Sequence, residues 1–311
     1  MRTCALFLYL LPMALWGAPE WVLVRTTDGT TVEGSASSIP GGGKVVSMQS
    51  GAPASEFEAE RITKGLAAIQ GEDRAARDKA VEDLTAIGLP VITPLLKAYK
   101  DTDKHEPRPL YRLFERVMPS YADDFDRTLS LMRYKNGDAA RGKFPEGSLE
   151  LKLADGTKSS IPWAKIRSFA IRQSSVQRTM QVDSLRHSTQ IEYLDTGVVP
   201  TSASKVTVSA RGLVRLSWDT DSWASDADGL KVPGSPAYKS NMVDGQPFGA
   251  LVGRFGAAGD VFFIGKKASF AGKSNGRLGL AVNDNKHWQN NIGTFLVTMT
   301  VTDAYDLGDA Q

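Results

Sequence analysis

The chain is poor in the side chains that bind transition metals. Its 311 residues include three histidines and one cysteine. These are too few for a zinc cluster of histidine and cysteine ligands, an iron–sulfur site or a framework of disulfides. Any metal in this protein is therefore expected to bind among oxygen ligands.

The chain also lacks an excess of charge of either sign. Lysine and arginine total 37, aspartate and glutamate total 35, and the formal net charge is +2. A general nucleic-acid binder, or a protein that lies on membrane surfaces, needs clustered excess charge. We therefore expect no nucleic-acid partner. The composition, 41% hydrophobic and 23% charged, is that of a globular protein and excludes a disordered or collagen-like chain.

The first apolar run is too short to span a bilayer, which takes about 20 residues. It covers residues 5–15, follows one arginine and precedes small residues. This order is typical of a secretory signal peptide. We predict that residues 1–18 are removed and that the mature protein is secreted or periplasmic, without a transmembrane segment; a buried N-terminal strand or helix is the alternative. Cys4 lies in this segment, so a cysteine nucleophile is excluded from the mature protein.

Two stretches share the order strand, Asp-Gly-Thr, strand. The first contains Asp28-Gly29 and the second Asp155-Gly156, and Asp-Gly is a frequent hairpin turn. We interpret residues 19–55 and 147–175 as two halves of one small β-module. Two unrelated hairpins are the alternative.

Residues 56–146 are predicted to form a helical insertion between these halves. An apolar stripe from Ala76 to Ile87 has helical spacing, Gly88 is a good helix stop, and Thr93-Pro94 is typical of a helix start. Another stripe consists of Leu110, Leu113, Phe114 and Val117. Residues 72–100 resemble a single HEAT-type hairpin. Without clear further copies, a small packing domain is favoured over a peptide-binding solenoid, and a protein partner for the insertion is left open.

The remainder is predicted to be β-structure. We assign residues 176–202 to a connecting β segment, 203–302 to a β-sandwich of six strands separated by glycine, asparagine and aspartate turns, and 303–311 to a tail. The predicted fold class is a multidomain, mainly β protein with a helical insertion and a C-terminal sandwich.

The loop at residues 283–291 is rich in oxygen ligands. It contains one aspartate and four asparagine or glutamine residues beyond Asn283, between two strong strand patterns. A hard cation such as Ca²⁺ takes about six to eight oxygens from carboxylate, amide and carbonyl groups. One carboxylate is too few for charge neutralisation, and residues 218–229, with four aspartates, are a candidate second loop. The alternative for both loops is ordinary turn chemistry.

Three motifs give this region a resemblance to a known family. They are GQPFGALVGRFG at 245–256, GRLGLAVND at 276–284 and NNIGTFLV at 290–297. In order and spacing, residues 203–302 resemble the PA-I type galactophilic lectins of bacteria. The resemblance implies a galactose-binding-like sandwich of jelly-roll type, one Ca²⁺, and a glycan or saccharide ligand whose hydroxyls complete the coordination of the ion.

The resemblance also implies particular residues. Asp284, Asn290 and Asn291 match the side-chain calcium ligands, and backbone ligands fall at His287 or Trp288 and within 218–223, where we place Trp223. The sugar-binding residues implied are Asp284, Asn290, His287, Trp288 and Tyr238.

The sequence departs from the family beside the sugar site. Ala237 and Ser240 stand where the family has a sugar-contacting histidine and glutamine. The resemblance therefore leaves open which sugar is bound and whether galactose specificity is retained.

No catalytic set is predicted. His187 has no partner carboxylate by spacing, no Gly-x-Ser-x-Gly pattern is present, and Asp226 and Asp228 lie beside a glycine as turn residues do. We predict a calcium-dependent carbohydrate-binding protein without enzymatic activity. A scaffold that no longer binds sugar, or a glycan-targeted enzyme with an upstream catalytic region, are the alternatives.

Overall fold

The computed structural model describes most of the chain beyond residue 19. The described residues are 20–39, 45–51, 54–101, 110, 113, 117, 130–135, 139–143, 146–190, 192–217, 223–230, 243, 245–273, 276–285 and 288–307. The predicted signal peptide lies outside them. Within these ranges, no helix is both long and apolar enough to cross a bilayer.

The small β-module brings its two predicted halves together. The strands of its first half are β1 (Glu20–Thr26), β2 (Thr31–Ala36) and β3 (Val45–Gln49), and those that follow are β4 (Ser130–Tyr134), β5 (Ala139–Gly142), β6 (Ser148–Leu153) and β7 (Lys158–Pro162). β2 pairs antiparallel with β6 in the register Ala36 to Leu151, which joins the halves in one sheet. β4 and β5 fall inside the region predicted to be helical, and β4 pairs with β3.

The two Asp-Gly turns have the same construction. Asp28 accepts a hydrogen bond from the N–H of Thr30 at 2.9 Å, and Asp155 accepts one from Thr157 at 2.8 Å. Gly29 and Gly156 have φ angles of 87° and 86°, a left-handed conformation that glycine adopts without strain. The shared sequence therefore corresponds to a shared turn.

The insertion contains α1 (Glu56–Ile69), α2 (Arg74–Ile87) and α3 (Ile92–Asp101). Gly88 follows α2 with a φ of 74°, as expected for a helix stop. α3 begins at Ile92 directly after a 3₁₀ turn at Leu89–Val91, so Thr93 lies inside the helix and not at its N-cap. The helices enclose one core, to which Leu110, Leu113 and Val117 also belong; Phe114 lies outside the described residues.

A buried ion pair attaches α1 to the β-module. Arg167 donates to both carboxylate oxygens of Glu58, through Nε at 2.6 Å and through Nη2, and its Nη1 donates to the carbonyl of Ser50 at 3.2 Å. Glu58 is fully buried and Arg167 is 2% exposed. Glu58 also accepts the N–H of Ser55 and so completes the capping box of α1.

One long strand connects the module to the sandwich. β8 (Ile166–Asp183) pairs with β1 and β3 through residues 166–171 and with the last strand of the sandwich through residues 172–183. β8 crosses the module boundary that we predicted at residue 175. Its backbone stays extended there, while its pairing partner changes from β1 and β3 to the last strand of the sandwich. The segment 176–202 therefore supplies strands to the sandwich.

The sandwich consists of two antiparallel sheets. Its further strands are β9 (Leu194–Asp195), β10 (Val198–Pro200), β11 (Lys205–Arg215), β12 (Ala224–Ser225), β13 (Leu251–Phe255), β14 (Phe262–Phe263), β15 (Lys267–Ala271), β16 (Leu278–Val282) and β17 (Ile292–Asp306). β8, β17 and β11 are neighbours in one sheet, and β14, β13, β16 and β9 form the other. The two sheets share one apolar core, with Val208 and Val297 from the first and Leu251 and Leu280 from the second. The mainly β fold class with a β-sandwich is confirmed.

We expect Glu58→Gln to lower the free energy of unfolding by about 3–5 kcal/mol, because it leaves the Arg167 cation buried without its carboxylate. Chemical denaturation measures this loss. Glu60→Gln is the matched control on the same helix, since it removes only an exposed pair with Lys64 and should leave stability unchanged. Equal losses in the two variants would contradict the importance of the buried pair.

Candidate functional site

The oxygen-rich loop lies at one end of the sandwich. It connects β16 in one sheet to β17 in the other, so residues 283–291 cross the edge of the apolar core. The segment after β8 packs beside it: the N–H of Thr189 donates to the carbonyl of Val282 at 2.9 Å, and the N–H of Val282 donates to the carbonyl of His187 at 2.8 Å. The side chain of His187 accepts the N–H of Asp183 through Nδ1 at 3.0 Å, within its own turn.

Asn283 fixes a second neighbouring loop. Its amide nitrogen donates to the carbonyls of Gln246 and Pro247, both at 3.1 Å, and its amide oxygen accepts the N–H of Val243 at 3.1 Å. The residue is fully buried. Its hydrogen-bonding groups are used within the protein, which indicates a structural role.

Asp284 is a buried carboxylate. The residue is 1% exposed, and its carboxylate accepts the N–H of Asn285 at 2.6 Å and the amide of Asn291. Its backbone is held from the other side, because the side chains of Thr189 and Gln190 donate to its carbonyl at 3.2 and 2.9 Å. Among the described residues, both hydrogen-bond donors to this carboxylate are neutral.

Asn291 presents a buried oxygen without a donor. Its amide nitrogen donates to the carbonyl of Ser184 at 3.0 Å and to the carboxylate of Asp284. Its amide oxygen is buried and has no hydrogen-bond partner among the described residues. An unsatisfied buried acceptor costs free energy, and a bound cation is one group that would satisfy it.

The burial of Asp284 changes its ionisation. Burial raises the pKa of this carboxyl from its ordinary value of 3.8 to about 6, although the hydrogen bonds from Asn291 and Asn285 act in the opposite direction. Burial penalises the charged form, and no cation among the described residues contributes to the shift. A positive ion at this carboxylate would remove that cost.

The structure brings some of the predicted site residues together. Asp284 and Asn291 are in direct contact, and Asn290, half-buried, ends the 3₁₀ turn Trp288–Asn290 beside them. The carbonyl of Trp223 accepts the N–H of Leu216 at 3.1 Å, where β12 pairs with β11. His287, Tyr238, Ala237, Ser240 and the side chain of Trp288 lie outside the described residues.

The described aspartates of the second acidic loop, Asp226 and Asp228, form ion pairs with a lysine. Lys266 forms ion pairs with Asp226 at 2.6 Å and with Asp228 at 3.3 Å. The hydrogen bond from Lys266 holds the pKa of Asp226 below its ordinary range. These two carboxylates therefore stabilise a turn and its neighbouring strand, while Asp219 and Asp221 lie outside the described residues.

Sequence reasoning missed Ser184, Thr189 and Gln190 as parts of this site. Thr189 contacts Asp284 from 95 positions away in the chain. A serine, a threonine and a glutamine carry no spacing signal, and the fold alone brings them to Asp284.

The arrangement suits a hard cation. It offers one buried carboxylate, one amide oxygen without a donor and several backbone carbonyls, and Ca²⁺ binds such oxygens. Among the described residues, no three histidine, cysteine, aspartate or glutamate side chains cluster as metal ligands would. An ion at this site would depend on amide and carbonyl oxygens beyond the single carboxylate.

Comparison with known proteins gives a limited result. No family model matches the chain, and no curated protein matches it. Among solved structures, the chain is similar to the N-terminal domain of EclA, described as a PllA-like lectin, with 20% identity and a TM-score of 0.30. The match covers 42% of this chain and 98% of that domain. At this level of similarity, we base no functional argument on the match.

In EDTA, the free energy of unfolding should show the ionisation of Asp284. Because the folded pKa of about 6 exceeds the ordinary value of 3.8, the folded state holds this proton more tightly and the carboxyl contributes most to stability below about pH 4. The contribution, about 3 kcal/mol, is lost as the pH rises to about 6. Urea unfolding of the wild type and Asp284→Asn between pH 4 and 7 measures it as a pH-dependent difference. A constant difference would show that Asp284 ionises as it does in water.

Proposed function

We propose that this protein binds carbohydrate through a Ca²⁺ ion held at the end of the sandwich. Asp284 and Asn291 would be side-chain ligands, with Asn290 beside them and backbone carbonyls at His287 and Trp223 as further ligands suggested by the lectin resemblance. A glycan or saccharide is the proposed ligand.

The observation that carries this proposal is the contact between Asp284 and Asn291. It places a buried anion beside a buried amide oxygen that lacks a donor among the described residues. Each group alone costs free energy, and a cation compensates both at once. An apolar or purely hydrogen-bonded end of a sandwich has no need of such a pair.

The surrounding residues would orient the site and exclude water from it. Thr189 and Gln190 fix the backbone of Asp284, Ser184 fixes the amide of Asn291, and Asn283 holds the adjoining loop. When bound, Ca²⁺ supplies coordination positions that sugar hydroxyls can fill. The preorganised ligands would then bind a sugar without rearranging the sandwich.

The alternatives make different use of the same residues. In a scaffold without ligand, the hydrogen bond between Asp284 and Asn291 would only join β16 to β17, and calcium would have no effect. A glycan-targeted enzyme would need a catalytic group upstream of the sandwich, and glycosidases generally use two carboxylates. The calcium response separates the scaffold from the lectin-like function.

Calcium should raise the melting temperature of the protein. An ion that binds only the folded state stabilises it by about 2.7 kcal/mol at a free concentration of about 100 times its dissociation constant. The gain should shrink below about pH 6, where protons compete for Asp284. Differential scanning calorimetry with Ca²⁺ and with EDTA measures this effect.

Two aspartate variants give this test its control. Asp284→Asn should remove most of the calcium gain because it deletes the buried carboxylate. Asp228→Asn should keep it, since this residue is exposed and pairs with Lys266. A wild type that melts identically in Ca²⁺ and EDTA would overturn the proposed metal site.

Sugar binding should require calcium and should be weak. We expect dissociation constants in the millimolar range, about −4 kcal/mol, without a fixed preference for galactose, because Ala237 and Ser240 lack the family's sugar-contacting groups. A glycan array followed by calorimetric titration, with and without EDTA, measures both properties.

Trp288→Ala should weaken sugar binding while calcium affinity stays nearly constant, if its ring packs on the apolar face of the sugar. Replacing Ala237 by histidine and Ser240 by glutamine should shift the preference toward galactose. Strong sugar binding that persists in EDTA would place the site elsewhere and contradict the role of Asp284.

A further inference from the structure

The outer face of the sheet formed by β8, β17 and β11 carries exposed apolar side chains at one end. Among the described residues, five large apolar side chains are exposed, and three of them lie here. They are Leu185, which is 40% exposed, Leu213, which is 64% exposed, and Ile292, which is 55% exposed. A contiguous exposed apolar patch marks an interaction site, whereas single exposed apolar residues need no explanation.

The pairing of the strands makes this patch contiguous. In the register of β11 with β17, Leu213 lies one outward row away from Ile292. The N–H of Ser184 donates to the carbonyl of Gly293 at 3.0 Å, which places the turn at Leu185 beside the start of β17. The three side chains therefore occupy neighbouring strands at the same end of the sheet.

The centre of the same face is uncharged. Phe295, Val297 and Met299 of β17 point into the core, so the residues that alternate with them face outward. The outward residues in the central rows of the three strands are Gln177, Thr179 and Gln181 of β8, Thr294, Leu296, Thr298 and Thr300 of β17, and Thr207 and Ser209 of β11. Protein–protein interfaces are depleted of charged residues at their centre in the same way.

Charged side chains lie at the two margins of this face, with opposite sign. Asp183 lies at the β8 margin, in the same row as Leu213. At the β11 margin, Arg211 and Arg215 flank Leu213 along the strand, and Lys205 lies farther along it. A face with one negative and one positive margin can complement a second copy of itself.

A two-fold axis parallel to β17 would bring these margins together. Sheets that pack face to face lie about 10 Å apart and keep their strands within about 30° of each other. With this axis, β8 of one copy lies over β11 of the other at the same level. Asp183 then faces Arg211 and Arg215 of the other copy, and Leu185 faces Leu213. An axis across the strands would instead oppose arginine to arginine.

We propose that this face is the interface of a symmetric dimer, with a second copy of this chain as its occupant. Four strands, β8, β17, β11 and β15, spaced about 4.8 Å apart along the 11 residues of β11, cover about 700 Å². A stable interface buries about 800 Å² per partner, so the face is large enough. Ile292 and Leu296 of the central strand would lie near the axis and contact their own copies.

Such a dimer would present both candidate glycan sites at the same end. The loop at 283–291 precedes Ile292, the first residue of β17, and an axis parallel to β17 keeps the two strand starts together. This consequence rests on the proposed function, whereas the dimer itself does not. Two linked sites bind a multivalent surface with higher avidity without any new contact, which would offset weak binding at each site.

The test follows the association state of the full chain in EDTA, so that calcium plays no part. Sedimentation equilibrium between about 1 and 100 µM covers the weak end of the affinities that interfaces of this size show. We expect a reversible equilibrium between monomer and dimer. A chain that stays monomeric throughout would overturn the proposal. A monomer that sediments with phosphatidylglycerol vesicles would also overturn it, because a lipid surface would then cover this face.

Apolar variants make the assignment specific. Leu213→Gln should weaken the dimer by about tenfold, because it removes an interface contact without touching the core. Phe263→Gln is the matched control, since Phe263 is 43% exposed on β14 of the other sheet, and it should leave association unchanged. Leu296→Lys should abolish the dimer because the axis brings the two lysines together; Leu213→Gln decides alone if this variant does not fold. Association of Leu213→Gln equal to that of the wild type would contradict the proposed interface.

Arg211→Glu tests the orientation of the two copies. It opposes a negative charge to Asp183 of the other copy and should weaken the dimer, and high salt should weaken the wild-type dimer by screening the same contact. Tighter association of Arg211→Glu would show that arginines oppose each other and would overturn the strand-parallel axis. Because none of these measurements involves Ca²⁺ or sugar, failure here leaves the calcium-dependent function untouched.

Discussion

The continuity of β8 is the constraint on which the other contacts between modules depend. A single strand cannot pair with β1 at one end and β17 at the other without fixing the orientation of the two sheets. The ion pair of Arg172 with Asp303 and the hydrogen bond from Tyr305 to Glu33 lie along this connection.

The end of the sandwich illustrates how a fold can hold an unfavourable charge. β16 and β17 belong to different sheets, so the loop between them must cross the core edge and bury polar residues. Asn283 satisfies its amide within the protein, whereas Asp284 and Asn291 together retain one charge and one acceptor. The large apolar core, to which Phe295 and Leu280 contribute, offsets the free-energy cost of burying this charge and this acceptor. The stability of the sandwich therefore allows the loop to keep a buried charge and an unsatisfied acceptor in place.

Local signals in the sequence predicted local features well. The Asp-Gly pairs correctly indicated two hairpin turns. The strong strand patterns on either side of residues 283–291 correctly indicated that these residues form a loop. The sequence did not reveal where β8 changes partners, since Ser174 and Ser175 remain extended without any turn residue. Strand β4 was not predicted because it pairs with β3, far away in the chain, and β5 pairs with β4 in turn. β11 also continues without a break through Gly212, because glycine tolerates the φ of 118° that it adopts there.

The pairing of β3 with β4 has a consequence for the dependence of the β-module on the helices. Gln49, the last residue of β3, lies opposite Leu131 of β4, so the chain returns beside the point that it left. The helices are thus inserted at the position of a hairpin turn between two paired strands. Removal of α1 would leave the Arg167 cation buried in the β-module without the carboxylate of Glu58, so the module depends on a segment that contributes no strand to its sheet.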